Sequence, residues 1–128
     1  MSGRKGARYE RQLVSLFRES GWFSRRAGAS GSGGEAESYD VIAAKDGTVL
    51  VIELKYSSAR NVYYDPVKIE RLCWIADCFG GHALLVCRFS QDTSFYGFAR
   101  EMVGRTPSGK YAINRDARTR GLVVPDEC

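Results

Sequence analysis

Residues 39–55 read YDVIAAKDGTVLVIELK, two runs of strand-forming residues, YDVIAA (39–44) and TVLVIELKY (48–56), joined by Lys45-Asp46-Gly47. β-Branched side chains suit a pleated, half-buried surface, and Asp-Gly between two such runs is a hairpin signal, so the runs are expected to be antiparallel neighbours. The short turn then brings Asp40, near the start of the first strand, across from Glu53 and Lys55 near the end of the second. Glu53 and Lys55 are two apart and point to one side. A charge in a buried sheet loses its hydration, so these groups call for an account beyond folding. Two accounts stand at this point. Lys55 could form an ion pair with either acid, which is common and contributes little. Alternatively the two carboxylates converge on a divalent cation: hard oxygens suit Mg²⁺, which keeps waters and phosphate oxygens in its shell, and the lysine then faces the phosphate or the attacking water.

Before the hairpin, Tyr9, Leu13, Leu16 and Phe17 recur at helical spacing between Lys5 and Ser20, with Arg4, Arg8, Arg11 and Arg18 around them and Gly21 as the stop. Glu10 sits beside the apolar stripe of this basic helix, where it can look toward the domain. WFSRRAG (22–28) reads as a short strand and ASGSGGEAES (29–38) as a Gly/Ser-rich loop. After the polar stretch SSARNVYYD, PVKIERLCWIADCFG (66–80) has the Pro start, apolar spacing and Gly-Gly end of a helix packed on a sheet. HALLVCRF (82–89) reads as a buried strand, FYGFA (95–99) and KYAIN (110–114) as shorter ones, and the tail as partly irregular. The expected fold class is α/β, one mixed sheet with helices against it.

A chain of 128 residues has room for one domain, 1–128, with one real core. Its 19 Lys and Arg against 15 Asp and Glu give +4, which admits polyanions as partners without singling one out. No run of about 18 apolar residues is present, and the N-terminus lacks an apolar signal stretch, so a soluble, intracellular (cytoplasmic) protein with no membrane association is expected. Cys73, Cys78, Cys87 and Cys128 form no CxxC pair, and His82 is a lone histidine. Free thiols are therefore expected, three of them in or near the core.

The Tyr39-Asp40 and Glu53-Leu54-Lys55 pattern resembles the signature of the PD-(D/E)XK nuclease superfamily, with Tyr39 where proline is frequent. A closer resemblance runs along nearly the whole chain, to the archaeal Holliday junction resolvases. RKGARYERQLVSLFRESGW (4–22) is similar to that family's opening helix, RRAGASGSGG (25–34) to its Arg and SGS loop, VIELK (51–55) to its metal-binding strand, and FGGHALLVCRF to its second helix-to-strand junction. RTPSGKYAI is similar to a segment of some members. The resemblance implies a restriction-endonuclease-like fold and a metal site of Glu10, Asp40 and Glu53, with the Leu54 carbonyl as a further candidate ligand. It also implies Lys55 as the catalytic lysine, Ser30 on the scissile phosphate, and Arg11 and Arg26 as arginines needed for junction binding or cutting. Ser32 is a lesser candidate. Where members often carry glutamine at the start of the second helix, this chain has Lys68.

Arg4, Lys5, Arg8, Arg11, Arg25 and Arg26 are the candidate phosphate-binding cations, expected to make binding sensitive to salt. Tyr63 and Tyr64 are read as closing a turn by aromatic packing, and Trp74 as core or interface. The implied activity is Mg²⁺-dependent hydrolysis, with Mn²⁺ as a substitute, giving paired nicks in four-way DNA junctions during recombination and repair. Two nicks on opposed strands call for a C2 homodimer, since one chain carries one acid cluster. Its candidate interface is Trp74, Ile75, Phe79, Phe95 and Tyr96. A sliding clamp is a further partner left open by the sequence. Two competitors remain: another PD-(D/E)XK nuclease acting on duplex or flap DNA, and a basic DNA-binding module that binds without cutting.

Overall fold

Asp46 and Gly47 both adopt positive φ, 50° and 82°, between the paired residues Lys45 and Thr48. That two-residue turn matches the natural twist of the strands it joins and sets the register of the whole hairpin. β2 (Val41–Lys45) therefore pairs antiparallel with β3 (Thr48–Ser57), Val41 facing Ile52. The computed structural model describes residues 3–27 and 39–128, the side chains of residues 3–5 excepted.

α1 (Gly3–Glu19) leads into β1 (Phe23–Arg26), which pairs antiparallel with β2. Beyond β3 come β4 (Asn61–Tyr64), α2 (Pro66–Cys78) and β5 (His82–Phe89); β5 returns parallel to β3 over Leu50–Ser57. β6 (Phe95–Phe98) and β9 (Leu122–Val124) complete a six-stranded mixed sheet in the order β1-β2-β3-β5-β6-β9. Short 3₁₀ turns occupy Arg100–Met102 and Arg115–Arg120.

Alternation along β3 assigns its side chains to two layers. Leu50, Ile52 and Leu54 join Leu13, Val14 and Phe17 of α1, while Val51 joins Ile69, Leu72 and Ala76 of α2. A strand covered on both faces must be apolar throughout, which is why TVLVIELKY shows no polar alternation until Glu53. Glu53 and Lys55 follow Val51 in the row that faces α2. α2 begins at Pro66 behind the N-cap Asp65, whose carboxylate accepts the Val67 N–H at 2.9 Å. It ends with Gly80 at φ 65° and with N–H bonds from Gly80 to Asp77 and from Gly81 to Ala76, a Schellman closure.

The expected single sheet is corrected in one respect. β4 does not lie in the stretch read as polar by accident: Val62 and Tyr64 point inward and Tyr63 outward, the period of a half-buried strand. It pairs with β8 (Tyr111–Asn114), which pairs with β7 (Gly104–Arg105), making a separate three-stranded sheet that covers the α2 side of the core. Phe95 and Tyr96 are also corrected as interface candidates, because every residue of β6 is buried. Trp74 and Phe79 are each 55% exposed and remain available, so Trp74 is not core. Tyr64 is fully buried and Tyr63 half-exposed. All four thiols are free, but only Cys87 is buried and Cys73 half-buried; Cys78 lies on an exposed turn of α2 and Cys128 at the exposed end of the chain. No helix among the described residues is long and apolar enough to cross a membrane.

A Cβ on Gly81 would stand 2.5 Å from the Val49 carbonyl oxygen and 2.9 Å from the Val49 Cβ. Gly81→Ala is therefore expected to destabilise the protein by about 1–3 kcal/mol, as overpacking does, lowering the thermal midpoint by several degrees. Thermal denaturation followed by circular dichroism measures this, and an unchanged midpoint would show that the backbone there has room to spare.

Candidate active site

Asp40 stands one residue before β2 and is fixed on three sides. Its N–H donates to the Ile52 carbonyl at 2.8 Å, its carbonyl accepts from Ala27 N–H at 2.9 Å, and its Oδ2 accepts from Leu54 N–H at 2.8 Å. The carboxylate thus lies over the strand that carries Glu53. Glu53 is only 7% exposed. Burial pushes its carboxyl up to about 8; the nearby Asp40 charge adds to the rise, Lys55 and Lys68 pull against it, and a hydrogen bond to Asp40 favours the protonated form.

Glu10 approaches from a different side. α1 packs on the opposite face of the sheet, where the Arg26 guanidinium, at the end of β1, donates to Glu10 Oε1 at 3.0 Å. Burial raises the Glu10 carboxyl above its ordinary range, Arg26 opposes that, and the Asp40 charge adds to it. Asp40 is therefore the central acid, sensed by both Glu10 and Glu53. Among the described residues, no three acid, histidine or cysteine groups lie close enough to hold a metal ion together. Of the three carboxylates expected as a ligand set, Asp40 and Glu53 act on one another directly, and Glu10, within the field of Asp40, is engaged by Arg26.

That pair nevertheless fits a divalent cation. Mg²⁺ is commonly held by one or two carboxylates, its remaining positions filled by water and phosphate. A buried Glu53 beside a second, half-buried carboxyl is a donor set short of positive charge. Lys55, half-buried beside them, makes no ion pair within 4.0 Å with either acid. The ion pair that stood as the alternative account of Lys55 is thus not formed.

Of the other candidate residues, Ser30 and Ser32 and the side chains of Arg4 and Lys5 lie outside the described residues. Arg8, Arg11 and Arg25 are exposed. Arg25 pairs with Ile42 at the edge of the sheet, on the face that carries Glu53, whereas Arg8 and Arg11 line an open groove of about 550 Å³ along α1 with Gln12 and Arg88. Arg88 is a group that sequence reading passed over. It donates to Gln12 Oε1 and lies 5.1 Å from the ring centres of both Tyr9 and Phe95. Its only signal was a charge inside an otherwise apolar strand, the same anomaly that singled out Glu53. Tyr9 in turn stacks on Tyr56 at 4.4 Å, tying the helix that carries Glu10 to the strand that carries Lys55.

A sequence model of the archaeal Holliday junction resolvases matches residues 1–126. The chain belongs to that family. Among its relatives, the crossover junction endodeoxyribonuclease Hjc of Sulfolobus acidocaldarius is 33% identical over 119 residues, 92% of this chain and 82% of the relative. The enzyme of the same name from Sulfurisphaera tokodaii is 30% identical over 123 residues, 95% of this chain and 84% of the relative. Hjc of Archaeoglobus fulgidus, a Holliday junction resolvase of known structure, superposes with a TM-score of 0.81 at 24% identity over 92% of this chain and 95% of its own. A bacterial homing endonuclease shares the fold at a TM-score of 0.53 and 15% identity, covering 99% of this chain and 82% of its own. The restriction-endonuclease-like architecture expected from the sequence is therefore present.

The metal-free protein should carry the imprint of Glu53 in its stability. The folded state keeps the Glu53 proton up to about 8, while the unfolded chain loses it near the ordinary 4.5. Between those values the unfolded state binds fewer protons, so this group makes stability fall as pH rises through the window. Thermal midpoints in EDTA between about pH 5 and pH 8 should show that slope, flattened in Glu53→Gln. An equal slope in the variant would place the raised group elsewhere.

Proposed function

We propose that this chain is a Holliday junction resolvase, a metal-dependent endonuclease that nicks four-way DNA junctions by phosphodiester hydrolysis in recombination and repair. The observation that carries the reading is the buried Glu53 beside Asp40, with Lys55 on the same strand face but in an ion pair with neither acid, set in the frame of a family whose relatives are crossover junction endodeoxyribonucleases. A basic DNA-binding module has no use for a carboxyl buried beside a second acid.

Asp40 and Glu53 would hold the cation, Mg²⁺ or Mn²⁺ in its place. When bound, such an ion lowers the pKa of a water and offsets charge on the phosphoryl group. The Lys55 ammonium, on the same strand face as Glu53, stabilises charge on the phosphate or orients the attacking water. The expected product carries a 5′-phosphate. Arg26 holds Glu10 within the field of Asp40, where Glu10 is the third candidate ligand. Ser30 and Ser32 of the preceding Gly/Ser-rich stretch are the candidates for contact with the scissile strand. Arg4, Lys5, Arg8, Arg11 and Arg25 supply phosphate contacts around it.

Clean resolution needs two nicks related by the two-fold symmetry of the junction, and one chain supplies one acid pair. A C2 homodimer meets that requirement. The exposed Trp74 and Phe79, on one helix and its cap, support α2 as the face of contact.

The test compares a labelled four-way junction with a linear duplex, in Mg²⁺ or EDTA, for the wild type and Asp40→Ala. Paired nicks confined to the junction and to Mg²⁺ are expected, with the variant slower by two orders of magnitude or more, as befits loss of a principal charge-stabilising group. Undiminished cutting by Asp40→Ala would remove the proposed site. Equal cutting of both substrates would indicate a different nuclease of this fold, and binding without cutting would favour the basic module.

A further inference from the structure

Lys68 is the third residue of α2, three positions after the N-cap Asp65. A glutamate or glutamine there closes a capping box by accepting the N–H of the cap residue. An ammonium group has no acceptor to offer, and a cation in the first turn stands against the helix dipole. Local helix energetics therefore give no reason for a lysine at this position.

Its surroundings do. α2 covers the sheet face on which Glu53 and Lys55 follow Val51, and Ile69, the next residue after Lys68, is buried in that same layer. Lys68 acts electrostatically on Glu53, as Lys55 does. Tyr64, just before the cap, donates its hydroxyl to the Val86 carbonyl at 2.6 Å and lies in the field of both Glu53 and Asp40. Val86 pairs with Leu54, so the corner from β4 into α2 lies against the part of the sheet where β3 carries Glu53 and Lys55. The Lys68 side chain is exposed and makes no hydrogen bond and no ion pair within 4.0 Å among the described residues. It has not been used to neutralise Glu53 by contact.

We propose that Lys68 is a second phosphate-binding cation of the active site, which joins Lys55 in holding the non-bridging oxygens of the cleaved strand. The inference rests on the nuclease reading and deepens it. A phosphodiester carries one negative charge and gains a second as the water attacks, so two ammonium groups near one acid pair, neither in an ion pair with it, answer the charge of the transition state better than one. Glutamine, frequent at this place in the family, could orient water but could not supply charge.

The experiment uses Lys68→Gln and Lys68→Arg of the full chain, with three readouts: single-turnover cleavage of a four-way junction, the salt dependence of junction binding in Ca²⁺, and Mn²⁺ affinity of the free protein by electron paramagnetic resonance. Lys68→Gln is expected to cut about 10–100-fold more slowly while Lys68→Arg keeps most of the rate, the loss of one charge donor being of that order or larger at a buried site. The slope of log affinity on log salt should fall by about 0.9, one phosphate contact, with Mn²⁺ affinity unchanged or tighter. A wild-type rate together with an unchanged salt slope in Lys68→Gln would overturn the proposal. So would a slow Lys68→Gln restored to full rate by excess Mn²⁺, since the lysine would then act on the acid pair and not on the phosphate. If the wild type itself binds the junction without cutting it, the nuclease reading fails while the salt slope still decides whether Lys68 holds a phosphate.

Discussion

Glu53 is buried beside a second carboxylate, on a strand covered by helices on both faces, and the architecture has to be built around that conflict. β3 can hold an acid there only because its neighbours are fixed independently of it. The hairpin turn at Asp46-Gly47 sets the register, and the Asp40 carboxylate is pinned by the Leu54 N–H. Leu50, Ile52 and Leu54 on one side and Val51 on the other supply the hydrophobic stabilisation that offsets the cost of desolvating the pair. The site is thus an expense carried by the best-packed strand of the protein, as expected when local preference gives way at a functional position.

Much of this was legible in the sequence because the signals were local. The Asp-Gly turn, the Pro start and Gly-Gly end of α2, and the two-residue spacing of Glu53 and Lys55 each depend on a few adjacent residues. The join between Asp40 and Glu53 followed from them by register alone. What escaped required distance information. Asn61–Tyr64 was too short to announce a strand, and its partner Tyr111–Asn114 lies 50 residues on, so the second sheet could not be seen. Phe95 and Tyr96 looked spare for a small core, but β9 arrives from the tail to cover β6 on its open edge.

Glu10 shows the same limit at the level of the site. Helical spacing placed it beside the apolar stripe of α1, which is correct, yet spacing does not say which face of the sheet a helix will occupy. α1 took the face opposite Glu53, and Arg26, one register position from Asp40, was there to meet the carboxylate. The arginine named as a DNA contact thus has a partner within the protein, half-buried, at 3.0 Å. The contact is made through Nε, so any grip on DNA falls to the other guanidinium nitrogens.

The cations around the three acids divide accordingly into those already engaged and those kept apart. Arg26 is closed onto Glu10, whereas Lys55 and Lys68 both bias Glu53 from beyond ion-pair distance. The separation matters physically. A lysine in contact with Glu53 would settle its charge at once and occupy the space a metal ion requires, leaving a stable but inert sheet. A lysine held farther off leaves the pair under-neutralised, so that positive charge is still drawn in, and its own ammonium remains open to an anion. On the proposed reading, that incomplete pairing prepares one surface to accept a cation and a phosphate together.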